Sequence, residues 1–547
     1  MSKSNISNPR VIIAGGGLGG IMAAIKLKRN LGFNNFVIYE QSDDIGGTWK
    51  DNTYPGAASD IGTHWYSFST DPNPDWPTSH VTQPELLAYW KSLSRKYNIY
   101  PSILCNTKVV SAVWDDNEQI YHVEVQDTNT KEIKSDYASI LISATGLLSI
   151  PRYPEELKGI ATFKGDIFHS ARWNHNVDLH RKRVAVIGNG CSASQLLSVI
   201  TQDSTTEVVN FCRSPHWILD NFYYTKFSSL QRWIFRNVPL VARLYRNITF
   251  LLHELCYVLV LDADDNSFIK RKIVESAVNT IKRYAPEKYH SRIIPNYPMG
   301  CKRIIFGTGY LEALRRPNMD INYDGIQQIV EDGIITKKGE SEPFDVIIFA
   351  TGFNAFDYPL EVRGQGGVSI QDYYNAKGGP EAYYGTALPH FPNFYMLPGF
   401  NTATGHGSAI FSEETQLNWA MKLIAPVLRG DASSFVPKEE SSEAHNKKIQ
   451  SELGKSVWAG GCVSWYRRPG SDKIHTNYPG CLTKFWWNLR EPVWKDFKVV
   501  NGKNWRIKRT VVKRSARLGR VNFWTLCDCA IDPVNFLSTM VLGRSLL

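Results

Sequence analysis

Two glycine-rich loops are the residues of this 547-residue chain whose types and spacing most directly imply chemistry. The first, Gly15-Gly-Gly17-Leu-Gly-Gly20, follows an apolar strand-like run and precedes a helix-forming run. Gly15 permits a tight turn, Gly17 lets the backbone approach a pyrophosphate, and Gly20 lets the helix pack closely on the strand. Because the N-terminus of that helix can then receive phosphates, the loop predicts a dinucleotide site.

An acidic residue supports this interpretation of the first loop. The apolar run from Phe36 to Tyr39 ends in Glu40, twenty residues after Gly20. In a dinucleotide-binding fold, an acid at this distance hydrogen-bonds a ribose hydroxyl. We therefore expect Glu40 to contact the nucleotide of the first loop.

The second glycine-rich loop predicts a second nucleotide. The loop Gly188-Asn-Gly190-Cys-Ser192-Ala193 follows another apolar run, and the helix after it carries Gln195. The next strand ends not in an acid but in Arg213 and Ser214. A guanidinium there can clamp the 2′-phosphate that distinguishes NADPH from NADH. The sequence therefore favours NADPH, with a solvated surface charge as the alternative role for Arg213.

These loops require two α/β units to hold them. The chain is longer than one hydrophobic core supports. The predicted fold class is α/β, with two Rossmann-like dinucleotide-binding domains and a helical insertion in the second. The predicted segments are 1–150 (first domain, first part), 151–221 (second domain, first part, with a linker at 163–174), 222–288 (helical insertion), 289–345 (second domain, second part), 346–500 (first domain, second part) and 501–547 (basic C-terminal extension).

Charge and cysteine usage limit the remaining possibilities. The net charge of +10 arises mostly between Lys503 and Arg520, where eight Lys or Arg and no acid occur. A solvated basic face is the preferred explanation over an anionic membrane contact, and no nucleic acid partner is expected. Nine cysteines without a C-x-x-C pair or metal-ligand spacing predict reduced thiols and no metal site.

The ends and the apolar stretches of the chain suggest a cytoplasmic protein. Residues 1–10 are polar and lead directly into a strand, so we expect no secretory signal. The stretches 238–261 and 523–542 are apolar but carry charged residues, and neither is predicted to span a membrane.

The segment before the second loop carries a resemblance to a known family. The string Phe163-Lys-Gly165-Asp-Ile-Phe-His169-Ser-Ala-Arg-Trp173 resembles the fingerprint F-x-G-x-x-x-H-x-x-x-W of the Baeyer–Villiger (class B) flavin monooxygenases, especially their fungal and acetophenone-oxidising branches. Asn174 departs from the Pro or Asp usual at the next position. Gly46-Gly47-Thr48-Trp49 and Tyr54-Pro55-Gly56 with Asp60 are similar to flavin-contacting segments of that family. The resemblance implies FAD in the first loop and a hinge formed by Phe163, Gly165, His169 and Trp173.

The same resemblance supplies the catalytic and lid residues. The segment Tyr297-Pro-Met-Gly300-Cys-Lys302-Arg303 is similar to the one that carries the family's catalytic arginine. It implies Arg303 as the catalytic residue, Asp60 as its partner and Lys302 as a second phosphate ligand. Segments at 404–408 and 458–466 resemble lid loops, with His406 and Trp465 as the substrate-facing candidates.

Two turns of small residues are expected to complete the flavin domain. They are Ser143-Ala-Thr145-Gly146 and Ala350-Thr351-Gly352, each after an apolar run. Apart from these turns, the residues assigned to cofactor binding across both glycine loops and the family-like segments are Gly15, Gly17, Leu18, Gly20, Glu40, Gln41, Gly47, Thr48, Trp49, Tyr54, Asp60, Tyr66, Gly188, Gly190, Ser192, Ala193, Gln195, Arg213, Ser214, Lys302 and Arg303.

The reaction that the resemblance implies is oxygen insertion beside a ketone carbonyl. NADPH reduces FAD, reduced flavin and dioxygen form a C4a-peroxyflavin, and this attacks a lipophilic ketone to give an ester or lactone. The apolar insertion 222–288 is then either core packing, the preferred explanation, or a greasy entrance for substrate from a membrane surface. An N- or S-oxygenating or hydroxylating monooxygenase and a catalytically silent nucleotide-binding protein are the alternatives.

Overall fold

The computed structural model describes residues 8–220, 224–262, 264–467 and 470–502. The basic run from Lys503 and the apolar stretch 523–542 lie outside them. The strands, in chain order, are β1 Val11–Ala14, β2 Phe36–Tyr39, β3 Ile103–Leu104, β4 Thr107–Asp115, β5 Ile120–Asp127, β6 Ile133–Ala138, β7 Ile140–Ser143, β8 Asp166–His169, β9 Arg183–Ile187, β10 Glu207–Phe211, β11 Ile218–Leu219, β12 Ile305–Phe306, β13 Met319–Asn322, β14 Ile326–Val330, β15 Gly333–Thr336, β16 Ser341–Pro343, β17 Val346–Phe349, β18 Glu361–Arg363, β19 Phe394–Met396, β20 Ser434–Pro437 and β21 Phe497–Val500.

The helices lie mainly between these strands. They are α1 Leu18–Leu31, α2 Thr48–Asp51, α3 Gln83–Lys96, α4 Cys191–Ile200, α5 Ser229–Asn237, α6 Val241–Cys256, α7 Phe268–Tyr284, α8 His290–Ile293, α9 Tyr310–Ala313, α10 Ile370–Ala376, α11 Ala409–Leu428, α12 Glu439–Leu453 and α13 Leu482–Leu489. A single π-helical turn, Tyr257–Leu261, continues α6.

The first sheet is parallel and holds the first glycine loop. Its strand order is β19-β7-β1-β2-β3, with β1 paired to β2 and β7. Every residue of β1, β2 and β7 is buried, because both faces of a parallel sheet are covered. Such strands have apolar residues throughout rather than in alternation. The Rossmann-like first domain predicted from the sequence is thus confirmed.

The second sheet has the same architecture and corrects one expectation. Its order is β13-β10-β9-β17-β8. The prediction that the run Val346–Phe349 (β17) opens the second part of the flavin domain is wrong, because β17 pairs with β9 and β8 in this second sheet. A buried parallel strand has no compositional mark for the sheet it joins, so the sequence did not distinguish the two.

The fingerprint segment, expected to be a linker between the domains, contains a β-strand. Its residues Asp166–His169 form β8, the edge strand of the second sheet. A Cβ on Gly165 would lie 2.3 Å from the backbone oxygen of Asp345, so only glycine fits before this strand. Asn174 closes the following turn by accepting a hydrogen bond of 3.1 Å from the backbone of Asn176. Asn can therefore supply the turn-forming oxygen that Asp would provide at this position.

The helical insertion lies between β11 and β12, as predicted, and it is only partly buried: Phe250, Ala277 and Ile281 join the core, but one face of α6 does not. Within the described residues, the continuous helical stretch Val241–Leu261 has the length and apolar composition of a membrane-crossing helix, with 22% of its most apolar window buried. Leu244, Leu251 and Leu255 are exposed. The preference for core packing is therefore wrong for one face of α6, although the opposite face packs Phe250 against Trp65.

Candidate active site

One cavity brings the two glycine loops together. Its volume is about 1560 Å³, larger than the roughly 300–1,000 Å³ of an ordinary small-molecule site. Gly15 and Gly17 line one side and Gly188 and Gly190 the other. The cavity is therefore large enough to hold more than one ligand.

The two loops have matching backbone geometry. Gly15 and Gly188 have φ values of +108° and +110°. A Cβ on either would lie 2.5 Å from a carbonyl oxygen, that of Ala144 behind the first loop and that of Ala350 behind the second. Each loop is thus backed by its own Ala-Thr-Gly turn. The turn at 350–352, expected to complete the flavin domain, supports the second loop instead.

Glu40 holds the first loop through a hydrogen bond to its backbone. Its Oε2 accepts a hydrogen bond of 2.6 Å from the backbone of Gly16, and its Oε1 accepts one of 2.8 Å from the backbone of Ser42. Burial raises the pKa of the Glu40 carboxyl, although these two hydrogen bonds act in the opposite direction. The carboxyl also lines the cavity, so Glu40 both shapes the loop and faces the nucleotide space.

Most of the predicted residues line this cavity. Those that do so are Gly15, Gly17, Leu18, Glu40, Gln41, Gly47, Thr48, Trp49, Tyr54, Asp60, Tyr66, Gly188, Gly190, Ser192, Gln195, Arg213, Ser214, Lys302, Arg303 and Trp465. Those that do not are Gly20, Ala193, His406 and the four fingerprint residues. Gly20 instead lets α1 pack, since its Cβ would lie 2.0 Å from the oxygen of Gly15.

A tyrosine connects the two nucleotide segments. The hydroxyl of Tyr54 donates a hydrogen bond of 2.8 Å to the side chain of Gln195 on α4. Gln195 in turn donates to the backbone oxygen of Ala58 at 3.0 Å. A Cβ on Gly56 would lie 2.8 Å from the backbone oxygen of Gln195. The flavin-like segment at 54–60 therefore packs directly on the helix of the second loop.

Two cations and a hydroxyl lie together beside the second loop, where the sequence predicts phosphate binding. Lys302 is 7% exposed, and its ammonium donates a hydrogen bond of 2.5 Å to the hydroxyl of Ser214. Burial and, to a smaller extent, the neighbouring Arg213 guanidinium together lower the pKa of Lys302 to about 8. Two cations this close repel one another, so an anion between them would stabilise the arrangement.

Arg303 and Asp60 meet on the cavity wall although 243 residues separate them. Asp60 Oδ2 accepts from Nε at 2.8 Å and lies 2.6 Å from the second guanidinium nitrogen. Burial by itself would lower the pKa of the Arg303 guanidinium, but Asp60 outweighs that effect and the pKa is raised. Arg303 consequently carries a fixed positive charge into the cavity.

A disulfide joins the segment of Arg303 to the segment 458–466, which was expected to form a lid. Cys301 and Cys462 are bonded, with their Cα atoms 6.2 Å apart. The expectation that the cysteines are all reduced is therefore wrong for this pair, because chain folding brings together two residues separated by 161 positions. Trp465, three residues after Cys462, stands at the edge of the cavity and packs on Tyr466.

His406 lies behind the cavity rather than in it. Its backbone oxygen accepts a hydrogen bond of 2.8 Å from His253 of α6, and its Nε2 lies 3.4 Å from Glu254 of the same helix. Glu254 also accepts from the backbones of Leu482 and Thr483 at the start of α13. The sequence-based assignment of His406 as a substrate-facing residue therefore does not match its position.

The fingerprint histidine is buried beside the connections between the two sheets. Its Nδ1 accepts a hydrogen bond of 3.0 Å from the backbone of Ala171. Its ring packs against Tyr153 and Phe353, which lie on the two interdomain connections. Burial lowers the pKa of His169 to about 4, so it is neutral at physiological pH. This position suits a hinge and not acid–base chemistry in the cavity.

Comparison with known proteins identifies the family. The sequence model of the flavin-binding monooxygenase-like family matches residues 8–238. A Baeyer–Villiger monooxygenase of Pseudomonas aeruginosa is 35% identical over 87% of this chain and 88% of its own. The chain belongs to the Baeyer–Villiger flavin monooxygenases. A fungal relative, the FAD-binding monooxygenase ktnD of Aspergillus niger, is 32% identical over 95% of the chain and 86% of its own.

Solved Baeyer–Villiger monooxygenases share the fold. A cyclohexanone monooxygenase from Rhodococcus sp. Phi1 bound to NADP⁺ superposes with a TM-score of 0.75 at 26% identity, over 90% of this chain and 100% of its own. A closed cyclohexanone monooxygenase structure gives a TM-score of 0.76 at 24% identity, over 90% of this chain and 98% of its own. The recognition of the family and the fold class predicted from the sequence are both confirmed.

One residue of this monooxygenase cavity was missed by the sequence interpretation. Glu413 lies on α11, lines the cavity and is 7% exposed. It is followed by Glu414, and two adjacent acids in a helix ordinarily suggest a solvated surface. Only the packing of α11 against α1 reveals that both are buried.

Proposed function

We propose that this protein uses FAD and NADPH to insert one oxygen atom of O2 beside the carbonyl of a lipophilic ketone, giving an ester or lactone. The observation that carries the proposal is the Arg303–Asp60 pair on the wall of a cavity lined by both nucleotide loops. The first loop and the residues 47–49 and 54–60 form the FAD side, and Arg213, Ser214 and Lys302 form the NADPH side. Reduced FAD supplies the electrons that activate dioxygen.

The residues of the first loop suit a bound dinucleotide. A Cβ on Gly47 would lie 2.9 Å from the Cα of Gly17, so the two glycines approach without side chains. This leaves backbone at the N-terminus of α1 facing the cavity, as phosphate binding requires. Trp49, whose indole nitrogen lies 3.3 Å from the Tyr66 hydroxyl, closes the aromatic side of the same space.

Arg303 is the residue to which we assign catalysis. When an oxygen nucleophile adds to a ketone, negative charge develops on the former carbonyl oxygen. A guanidinium that is already charged and held by Asp60 stabilises that charge without a proton transfer. The Baeyer–Villiger reaction is preferred over N- or S-oxygenation because only the ketone reaction develops charge on a substrate oxygen in this way.

The test measures reduction and oxygen insertion separately. In Arg303→Ala, we expect NADPH still to bleach the flavin, while ¹⁸O incorporation from labelled dioxygen into a panel of cyclic, aromatic and polycyclic ketones falls by about 10²–10³-fold. Arg152→Ala, at another position on the cavity wall, is the matched control. Ester formation at the wild-type rate by the Arg303 variant would refute its role. A wild-type protein that binds flavin but oxygenates only amines or sulfides would favour the alternative reaction.

We further propose that α6 contacts an anionic membrane surface from which substrate arrives. Exposed apolar residues of α6 and of the π-helical turn that continues it recur at helical spacing along one face: Leu244, Ile248, Leu251, Leu255 and Val258. Within 224–261 the single acid is Glu254, which bonds α13. Lys226, Arg232 and Arg243 supply positive charge, whereas Arg236 pairs with Asp75 and Arg246 is buried. The run of eight cations beyond residue 502 adds a second basic element, and stable peripheral binding takes two such signals.

Vesicle flotation tests this contact. We expect the protein to float with vesicles of phosphatidylserine and phosphatidylcholine at low salt, and the double variant Leu244→Glu/Leu251→Glu to remain in solution. Ile133→Glu, at an exposed apolar position on β6, is the matched control and should float. Equal flotation of the double variant, or no flotation of the wild type, would contradict the proposal.

A further inference from the structure

Glu413 is a buried carboxyl whose hydrogen-bond partner is missing from the described chain. It lies near the start of α11 with 7% of its surface exposed, and it lines the cavity. Its Oε2 is fully buried and has no hydrogen-bond partner among the described residues. Buried polar atoms are almost always paired, because an unpaired one costs about 1–3 kcal/mol.

The neighbouring residue shows that α11 can satisfy an acid when the acid is structural. Glu414 accepts hydrogen bonds from the backbone and hydroxyl of Ser69 at 3.1 and 2.7 Å. It also lies 4.0 Å from the Lys26 ammonium and 3.9 Å from the Arg246 guanidinium. The two acids are equally buried, but only Glu414 has such partners. Glu413 therefore points to a partner from outside the chain.

The location of Glu413 identifies that partner. A Cβ built on Gly19 would lie 3.0 Å from Glu413 Oε2. Gly19 is the second residue of α1, the helix whose N-terminus faces the predicted dinucleotide phosphates. We propose that Glu413 contacts the sugar–phosphate part of FAD as a neutral carboxylic acid, donating a hydrogen bond to it. This inference rests on the proposed use of FAD.

The charges around Glu413 agree with a neutral acid. Burial raises the pKa of Glu413 to about 8. From the segment 62–68, the Tyr66 hydroxyl interacts electrostatically with Glu413. The nearby charges are paired with other groups: Lys26 of α1 faces Glu414 of α11, and Arg303 is held by Asp60. A neutral carboxyl can donate to a phosphate or hydroxyl oxygen, whereas an ionised one would repel the phosphates. Ionisation above pH 8 should therefore weaken FAD binding.

The experiment measures FAD release from the holoenzyme by recovery of flavin fluorescence after dilution, between pH 6.5 and 9.5. We expect the affinity of the wild type for FAD to fall by about tenfold per pH unit above its midpoint near pH 8, the slope for loss of one proton. Glu413→Gln, which keeps a donor and cannot ionise, should show no such fall. Glu440→Gln, on the exposed start of α12, is the matched control and should behave as wild type.

The possible outcomes separate the role of Glu413 from the proposed use of FAD. A pH-independent release in the wild type, or the same pH dependence in Glu413→Gln as in wild type, would overturn the proposal. Neither result depends on a destabilised variant, because the first uses the wild type and the second an isosteric change. A protein that binds no FAD at any pH would instead refute the proposed function, so the two failures are distinguishable.

Discussion

The first glycine loop is hydrogen-bonded to the buried acid Glu40, whereas the second glycine loop has two cations, Arg213 and Lys302, beside it in the cavity. Glu40 accepts hydrogen bonds from Gly16 and Ser42, so the first loop is braced internally. Beside the second loop, Arg213 is exposed and lowers the pKa of Lys302. The same turn geometry thus supports a buried site on one side and a charged, solvent-accessible site on the other. This difference suits a resident cofactor in the first site and an exchanging coenzyme in the second.

The third glycine position of each loop distinguishes the two sites further. A Cβ at Gly20 would lie 2.0 Å from the backbone oxygen of Gly15. The second loop has Ala193 at the matching position and buries its methyl group completely. The first helix therefore packs closer to its strand than the second does to its own. Substitutions in each loop would show whether this contrast holds.

The largest effect is expected from closing the first loop sterically. In Gly20→Ala, the methyl group meets backbone that cannot move aside, so we expect purified protein without FAD, as judged by its visible spectrum. Gly190→Ala is the matched control in the second loop, since no atom lies within 4 Å of its added Cβ. Full FAD occupancy in Gly20→Ala would show that the first loop is not the FAD site.

Removing the exposed cation tests the second site. For Arg213→Ala, we expect kcat/KM for NADPH to fall roughly 10–100-fold, because a charge-assisted hydrogen bond contributes about 1.5–3 kcal/mol. The value for NADH, which lacks the 2′-phosphate, should change little and serves as the internal control. Equal losses for both coenzymes would mean that the phosphate is recognised elsewhere.

The pH dependence of coenzyme use should follow Lys302. Its pKa is lowered to about 8, below the ordinary value for lysine, so it is charged below pH 8 and loses its charge as the pH rises past that value. We expect kcat/KM for NADPH to fall by up to about tenfold per pH unit above pH 8, since this parameter reports groups of the free enzyme. With FAD added at saturating concentration, so that loss of flavin does not contribute, Lys302→Arg should remove this fall. A profile unchanged by that variant would assign the titration to another group.

The smallest effect is expected from the disulfide. Cys301 is two residues from Arg303, and Cys462 is three from Trp465, so the bond holds the proposed lid segment near the arginine to which we assign catalysis. In Cys462→Ser, we expect NADPH oxidation to continue while the share of turnovers yielding oxygenated product falls and hydrogen peroxide rises by a few fold. Dithiothreitol should cause the same change in wild type and none in the variant. Unchanged coupling in both would show that the lid does not depend on this bond.

Local sequence was sufficient wherever a local structure depends on a few adjacent residues. Gly15 and Gly17, with the strand before them and the helix after them, could be interpreted from spacing alone, because a tight turn and a close phosphate approach exclude side chains. The position of Arg213 at the end of the strand that follows the second loop could also be inferred from spacing. The fingerprint at 163–173 identified the family, but it did not reveal that Asp166–His169 is a strand.

Several assignments failed because they depend on contacts between distant segments. Val346–Phe349 could belong to either sheet by composition, and only its pairing with β9 decided the matter. His406 had the same kind of lid-like surroundings as Trp465, yet it faces α6 while Trp465 lines the cavity. Glu413 carried no local signal, since its burial depends on α1 lying across it.

The sequence by itself determined that this chain has two nucleotide-binding units and which family it belongs to, because those properties follow from short-range backbone requirements. The tertiary structure decided how the units form one cavity. It placed Asp60 against Arg303 and Cys301 against Cys462, and it left one face of α6 exposed. Pairing across 243 or 161 residues depends on how the elements pack against one another, and no local pattern encodes that arrangement.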